Sequence, residues 1–414
     1  MQETKVLHKK KVLAPKLRFK EFSDAWNDKK LGDVLEITSA SRVHKDEWTE
    51  NGVPFFRSSD VVAAFKGNEN TKAYISFELY TSLANKSGRV KKDDILITGG
   101  GSIGIPFLIK NNEPLYFKDA DLLWIKNTNE ISGYFLYSFF LTQSFKNYIN
   151  TTSHVGTIAH YTVIQAKNTP FQFPSLPEQQ KIAGFLSAVD EKIQLLNRKK
   201  QLLEQYKIGV MQQLFAGHLR FKDENGKAYP KWEEKRLGEY LIYKSERNED
   251  KKVDLVLSVS NKKGFITQDE QFDGYNVASK DISNYKIVHK NDIAYNPSRI
   301  NVGSIARLNN FEKGIVSPMY VVFALKKELD SVFFENQYST HRFKHLIKVG
   351  CSGSVRDSLN FEDLANFKFN FPSLQEQKKI ADFLSAIDVK IESLSNQIIQ
   401  TQNFKKGLLQ QMFV

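Results

Sequence analysis

Five short stretches carry residue types and spacings suited to chemistry. DDILITGGGSIG, residues 93–104, runs an apolar segment, Ile95-Leu96-Ile97-Thr98, into Gly99, Gly100, Gly101 and Gly104. That is G-x-G-x-x-G after a strand, the pattern whose backbone amides cradle phosphate. AYNPSR (294–299) begins like the Asn-Pro-Pro-aromatic loop that holds a target amino nitrogen in amino-methyltransferases. Asp190-x-Lys192 and Asp388-x-Lys390 mimic part of a nuclease acid-x-Lys motif, and His341 and His345 stand four apart as zinc-binding histidines do.

Each falls short of its chemistry. The glycine loop leads into Pro106 and an extended apolar run, whereas a dinucleotide site needs a helix N-terminus there. In the second stretch Ser298 and Arg299 replace the second proline and the aromatic, so the stacking surface is missing. The Asp-x-Lys pairs fall in predicted helices, where residues two apart face different directions. HRFKH has no glutamate after its first histidine, and Arg342 and Lys344 would repel a cation; a solvated basic face is expected. The single cysteine, Cys351, excludes an intramolecular disulfide and a cysteine-cluster zinc site. No catalytic residue and no metal site is expected.

The elements that carry these stretches are written twice. PSLPEQQKIAGFLSAVDEKI (174–193) and PSLQEQKKIADFLSAIDVKI (372–391) share 15 of 20 positions at an offset of 198. The copies continue to YKIGVMQQLF (206–215) and FKKGLLQQMF (404–413). A weaker echo opens each half: LRFK at 17–20 and 219–222, Trp26 and Trp232, then KLGDVL and RLGEYL. The chain therefore reads as a tandem duplication.

The duplicated ends predict helices. Ser175 and Ser373 stand three residues before Glu178 and Glu376, the capping-box spacing. Apolar residues follow at alternating steps of four and three: Ile182, Leu186, Val189, Ile193 and Leu196 in one copy, Ile380, Leu384, Ile387, Ile391, Leu394 and Ile398 in the other. That is the seam of a coiled coil, and Gly217 is a candidate C-terminal stop. About 38 residues at 1.5 Å each make a rod of roughly 57 Å. The first helix enters the second middle region and the second helix leaves it, so pairing requires an antiparallel arrangement. Packing of each helix on a separate core is the competing arrangement.

The middles are strand-rich, with apolar runs at 94–98, 115–117, 122–125 and 315–325 and helical patterns at 133–150 and 331–348. Each reads as α+β, of the α/β type. They also test the glycine loop. Asp94-Ile95 matches Asp292-Ile293, and GSIGIPFLI (101–109) matches GSIARL (303–308). Between these anchors one copy has LITGG and the other AYNPSRINV. A phosphate cradle does not tolerate that replacement; a reading loop does, and so does a plain tight turn.

Fifty-nine Lys and Arg against 47 Asp and Glu give +12 and a pI near 9.3. That surplus favours a polyanion, of which nucleic acid is the commonest. No apolar run suits a membrane span, and Met1–Arg18 lacks the core and cleavage site of a secretory signal. A cytoplasmic location is expected.

At the EQ-x-KIA-x-FLSA-x-D-x-KI copies and the GLLQQMF ending, the chain resembles the specificity subunits of type I restriction–modification systems. The resemblance covers nearly the whole sequence and implies an N-terminal tail (1–21) and two target-recognition domains (22–173 and 218–371). It also implies a central helix (174–217) and a C-terminal helix (372–414), the two domains being separated by a long antiparallel two-helix coiled coil. It further implies a non-catalytic reader of a bipartite, asymmetric site in double-stranded DNA. Such a reader binds no cofactor itself and docks two modification subunits that use S-adenosylmethionine for adenine methylation. Restriction subunits driven by ATP and Mg would join that core.

Base edges are read by Arg, Asn, Gln, Ser and Thr side chains. By residue type, the candidates in the first domain are Arg57, Ser58, Ser59, Thr98, Gly99, Gly100, Ser102, Ser153, His154, His160 and Tyr161. In the second they are Ser258, Ser260, Asn261, Lys262, Asn296, Ser298, Arg299, Asn301, Ser354, Arg356 and Asp357. For each cluster, ordinary surface polarity is the competing reading.

Overall fold

The computed structural model describes residues 13–118, 121–152, 160–261, 263–271, 281–351 and 358–414. The chain divides into two compact units. Unit 1 comprises the chain up to Arg198 together with Asn396–Val414; unit 2 is Lys199–Ser395.

In unit 1 the strands are β1 (Asn27–Lys30), β2 (Glu36–Thr38), β3 (Trp48–Thr49), β4 (Val53–Phe56) and β5 (Tyr74–Ile75). They continue with β6 (Ile95–Thr98), β7 (Pro106–Leu108), β8 (Tyr116–Phe117), β9 (Leu122–Lys126) and β10 (Pro170–Phe173). One sheet has the order β2-β9-β6-β7, a second β3-β5-β4-β8, and β1 pairs with β10. Strands β6 and β9 are apolar without alternation because both faces are covered. Ile95, Ile97, Leu123 and Ile125 join the core around Phe135 and Phe171. Leu96, Leu122 and Trp124 pack the other way, with Val61 and Phe117.

Helices α1 (Ser58–Phe65) and α2 (Phe77–Ser87) flank the second sheet; α3 (Gly133–Phe139), α4 (Gln143–Thr152) and α5 (Val163–Lys167) follow β9. The long α6 (Leu176–Phe215) comes next. The pattern at 133–150 thus forms two helices rather than one. The break falls at Thr142, whose hydroxyl accepts from Phe145 N at 3.3 Å and starts α4 afresh.

Unit 2 repeats part of this plan. Its strands are β11 (Glu233–Arg236), β12 (Leu241–Lys244), β13 (Leu257–Ser260), β14 (Gly264–Thr267) and β15 (Lys286–His289). After them come β16 (Ile293–Tyr295), β17 (Ile305–Arg307), β18 (Lys313–Val316), β19 (Val321–Leu325) and β20 (Lys368–Phe371). The sheet β12-β19-β16-β17 and the ribbon β11-β20 reproduce those of unit 1, whereas the second sheet is replaced by the pairs β13-β14 and β15-β18. The apolar run at 315–325 is two strands, broken at Ser317-Pro318. Its helices are α7 (Gln268–Gln271), α8 (Ser331–Tyr338), α9 (His341–Cys351), α10 (Phe361–Ala365) and α11 (Leu374–Gln411). The pattern at 331–348 is likewise split, at Thr340, whose hydroxyl accepts from Phe343 N at 3.3 Å.

The duplicated Glu-Gln pair fastens each long helix to its unit. Glu178 is buried and takes Arg18 in a two-pronged ion pair, at 2.8 Å from Nε and 2.7 Å from Nη2. Glu376 does the same with Arg220, at 3.0 and 2.7 Å, and accepts from Trp232 Nε1 at 3.0 Å. Those hydrogen bonds hold both guanidiniums above their ordinary pKa. The reciprocal capping box therefore does not form: each glutamate reaches the repeated Arg and Trp of its own unit, and Ser373 alone caps, accepting from Glu376 N at 3.4 Å. Gln179 Oε1 accepts from Ser132 N (2.9 Å) and its Nε2 donates to Pro174 O (2.9 Å). Gln377 repeats this with Asp330 N (2.8 Å) and Pro372 O (3.0 Å).

Within each unit, the start of one long helix lies beside the end of the other, running antiparallel. In unit 1 Asp190 meets Lys405 at 2.6 Å; in unit 2 Asp388 meets Lys207 at 2.6 Å, the same pair displaced by 198 residues. The Asp-x-Lys aspartates are thus ion-pair partners of the facing helix. The seam residues pack on more than the facing helix. Ile182, Leu186 and Val189 share one core with Trp26 and Phe135 and with Leu408, Met412 and Phe413. Ile380, Leu384 and Ile387 share theirs with Leu214, Leu237 and Phe333. Farther along, Ile193, Leu196 and Ile391 are half-buried, and Leu394 and Ile398 are buried. The two expected arrangements are therefore combined: each helix start packs on a globular core and on the other helix at once. Gly217 ends α6 as expected, with φ +73°.

Candidate nucleic-acid interface

In unit 1 the glycine loop joins β6 to β7 as a hairpin. Gly104 N donates to Thr98 O at 2.8 Å, and Thr98 N to Ile105 O at 3.0 Å. Gly101 and Gly104 have φ of +67° and +77°, and a Cβ on Gly104 would lie 3.3 Å from the Phe145 ring of α4. Left-handed backbone and close packing account for those glycines. A strand follows the loop, not a helix N-terminus, so no phosphate cradle forms. Thr98 is fully buried; its hydroxyl donates to Ser102 O and accepts from Ile105 N at 2.9 Å. It shapes the loop and is removed as a candidate base contact.

Three separated clusters meet at this loop. Gly99 N donates to Asp121 O at 2.9 Å, and Tyr161 N donates to Gly99 O at 2.8 Å. The Ser58 hydroxyl donates to the same Asp121 carbonyl at 3.0 Å. A Cβ on Gly100 would stand 3.6 Å from His160 Nδ1. Ser59, Ser102 and His160 are exposed, while Gly99 and Gly100 are buried and are withdrawn with Thr98 as base contacts. Asp121, paired with Lys118, organises the edge; nothing in its sequence surroundings marks it, because its role arises from backbone contacts between distant segments.

Two further candidates are withdrawn by the geometry. Arg57 closes a two-pronged pair on Asp60, at 2.7 and 2.9 Å, donates to Thr71 O and lies over the Trp48 ring at 5.6 Å. Burial works against the Asp60 carboxylate, but the hydrogen bonds and charge of Arg57 outweigh it and hold that carboxyl below its usual range. The guanidinium fork is thus already occupied. Tyr161 is 1% exposed, with its hydroxyl 2.6 Å from Thr169 Oγ1, and belongs to the core. Ser153 and His154 lie outside the described residues.

In unit 2 the corresponding connection, β16 to β17, is longer and polar. Asn296 N donates to Ser304 O at 3.1 Å and closes it; Ser298 N donates to Asn296 Oδ1 at 3.1 Å. A 3-10 turn, Ile300–Val302, follows Arg299. Ser298, Arg299 and Asn301 are exposed and Asn296 is half-buried, whereas Ile300 is buried in the core with Phe343 and Ile347. The β13–β14 turn adjoins it: a Cβ on Gly303 would lie 3.7 Å from Asn261 O, and Ser304 Oγ donates to Val259 O at 3.2 Å. Asn261 is exposed, Ser260 is half-buried and its hydroxyl accepts from Lys263 N at 3.4 Å. Ser258 is buried in β13 and is withdrawn as a base contact. Lys262, Ser354, Arg356 and Asp357 lie outside the described residues; Leu359, just beyond the last, donates its N–H to Pro297 O at 3.1 Å.

Among the described residues no group of His, Cys, Asp and Glu is arranged to hold a metal, and no helix is long and apolar enough to cross a membrane. Two unlike halves, each joining the same strand pair by a hairpin loop of different content, make the chain a tandem of two related modules. The chain belongs to the family of the type I restriction modification DNA specificity domain, whose model matches residues 23–205 and again 224–402. A Methanocaldococcus jannaschii relative bearing a type I restriction enzyme specificity-subunit name, MjaX, is 26% identical over 409 residues, 94% of this chain and 93% of its own. In fold, the chain is similar to the crystal structure of the type I restriction–modification S subunit from M. genitalium (TM-score 0.58, 16% identity, 97% and 99% coverage). It is also similar to a chain in a type I system solved to explain complex assembly and conformational transition (TM-score 0.55, 14% identity, 94% and 97% coverage).

Proposed function

We propose that this chain is the DNA-reading specificity subunit of a type I restriction–modification complex and carries out no chemistry itself. Each unit reads one half of a bipartite, asymmetric target in double-stranded DNA. The observation that carries this reading is the shared hairpin: the same β-strand pair is joined by a turn that exposes Gly101 and Ser102 in one unit and by a loop that exposes Ser298, Arg299 and Asn301 in the other. A common scaffold with interchangeable loop content suits two readers of unlike half-sites, since base edges are told apart by side-chain donors and acceptors. A surplus of +12 supplies the phosphate attraction on which any reader depends.

In this proposal the paired long helices set the spacer. An α-helix rises 1.5 Å per residue, so removing seven residues would bring the readers about 10 Å closer, roughly three base pairs, and change their phase. The duplicated helix starts offer two similar docking faces to two modification subunits. S-adenosylmethionine would be bound by those partners, and ATP and Mg by restriction subunits that join them.

The test is a domain exchange. Replacing residues 22–173 by the equivalent region of another specificity subunit, and mapping methylated adenines in cells, should change one half-site and keep the other and the spacer. A change in both half-sites together would refute the assignment of one reader per unit.

A further inference from the structure

Helix α9 of unit 2 lies beside the reading loop and carries a cationic face. Phe343 and Ile347 are buried on one side, while His341, Arg342, Lys344, His345 and Lys348 stand outside that buried stripe. The helix packs against the 3-10 turn of the 296–304 loop, with Ile300 in the same cluster as Phe343 and Ile347. Its far end is tied to the loop as well. A Cβ on Gly350 would meet Leu359 Cδ1 at 2.8 Å, and Leu359 N donates to Pro297 O at 3.1 Å. Arg342 is partly committed, donating to Lys368 O at 3.1 Å over the Phe369 ring.

Unit 1 supplies an internal comparison. Helix α4 occupies the equivalent place, with Phe145 and Ile149 buried against Gly104 of its own loop. At the 198-residue offset, the matching positions are Gln143, Ser144, Lys146, Asn147 and Asn150. The scaffold and its buried stripe are the same; the charge differs, with three permanent cations and two histidines against one lysine.

We propose that α9 is a phosphate grip: it holds the backbone of duplex DNA beside the unit 2 reading loop, so that unit 2 carries more of the salt-sensitive affinity than unit 1. Resting on the DNA-reading function above, this assigns the two units unequal shares of the grip on the DNA backbone. Lys344 neutralises a phosphate, and the loop residues at 296–304 then meet base edges in a fixed register. Phosphate contacts position a protein without selecting sequence.

The experiment is a salt titration of the full chain on a random-sequence duplex of about 30 base pairs. It compares the wild type with Lys344→Gln and with a charge-matched control, Lys227→Gln. Removing one lysine that neutralises a phosphate should lower the slope of log affinity against log salt by about one. The α9 variant is expected to fall by about one unit of slope and the control by less than about half a unit. The converse change in unit 1, Asn147→Lys/Asn150→Lys, should raise the slope. Equal slopes for the α9 variant and the wild type, or equal reductions in variant and control, would overturn the phosphate grip while leaving DNA reading intact. A wild type that ignores duplex DNA at low salt would overturn both.

Discussion

Glu178 and Glu376 each do more than their place in a helical motif suggests. A carboxylate buried at a helix start must be matched by donors, because desolvating it unpaired is costly. Here Arg18 or Arg220 fills both oxygens, and an indole N–H comes within 3.4 Å in unit 1 and 3.0 Å in unit 2. The Arg and Trp of each repeated opening and the Glu of the distant repeated helix start are thus one cluster in each unit. Replacing Glu376 by Gln keeps the shape but removes the charge that answers Arg220. Unfolding free energy should fall by about 2 kcal/mol, the scale of hydrogen bonds to a charged group. Urea titration measures this, and a change below about 0.5 kcal/mol, within the range of an ordinary surface substitution, would show that the pair is not an anchor. The glycines of KLGD and RLGE have an equally local reason. A Cβ on Gly32 would stand 2.8 Å from Lys167 Cβ, and one on Gly238 2.9 Å from Ala365 Cβ.

Between residues and domains, helix α3 links unit 1 to both long helices. Tyr134 on α3 donates its hydroxyl to Asp190 of α6, which also takes Lys405 of α11. Unit 2 has Val332 at the equivalent position, so this three-element node belongs to unit 1 alone. Burial, then the Asp190 hydrogen bond, pushes the Tyr134 hydroxyl well above its ordinary pKa; burial and the same aspartate push Tyr137 up to about 12. For a phenol the sign is unambiguous. The folded state holds the proton more tightly than the unfolded chain, so this contribution is complete below about pH 10, the unfolded value. It is lost as pH rises through about 10 towards the folded value. Melting temperature should therefore decline as pH passes from about 9.5 to about 11, and Tyr137→Phe should make the decline shallower. An identical decline in that variant would mean that other groups dominate alkaline unfolding.

At the scale of the chain, unit 1 is assembled from residues far apart in sequence. Leu408, Leu409, Met412 and Phe413 of the C-terminal segment are buried in the same core as Trp26 and Phe135, with Phe413 stacked on Phe135 at 4.9 Å. Leu17 N donates to Gln411 O at 2.8 Å, just as Leu219 N donates to Gln213 O at 3.1 Å in unit 2. Deleting residues 404–414 should destabilise unit 1 by several kcal/mol, since each buried Leu, Met or Phe removed costs about 2–5 kcal/mol. Calorimetry should show an earlier transition, and added protease should cut first within residues 13–198. A melt unchanged by the deletion would refute that dependence. The sequence alone determined the duplication, the long helices with their antiparallel sense, the strand-rich middles and the family, because repeats and heptads are local periodic signals that burial enforces. It did not determine that the helix seam faces a domain core as well as another helix, since one apolar stripe satisfies either partner. Nor could it tell that Thr98, Tyr161 and Ser258 are interior while Arg57 is already paired, or that Ser58, Gly100 and His160 share an edge. Those are outcomes of which distant segments meet, and polar side chains read alike in sequence whether their partner is solvent, nucleic acid or another part of the same chain.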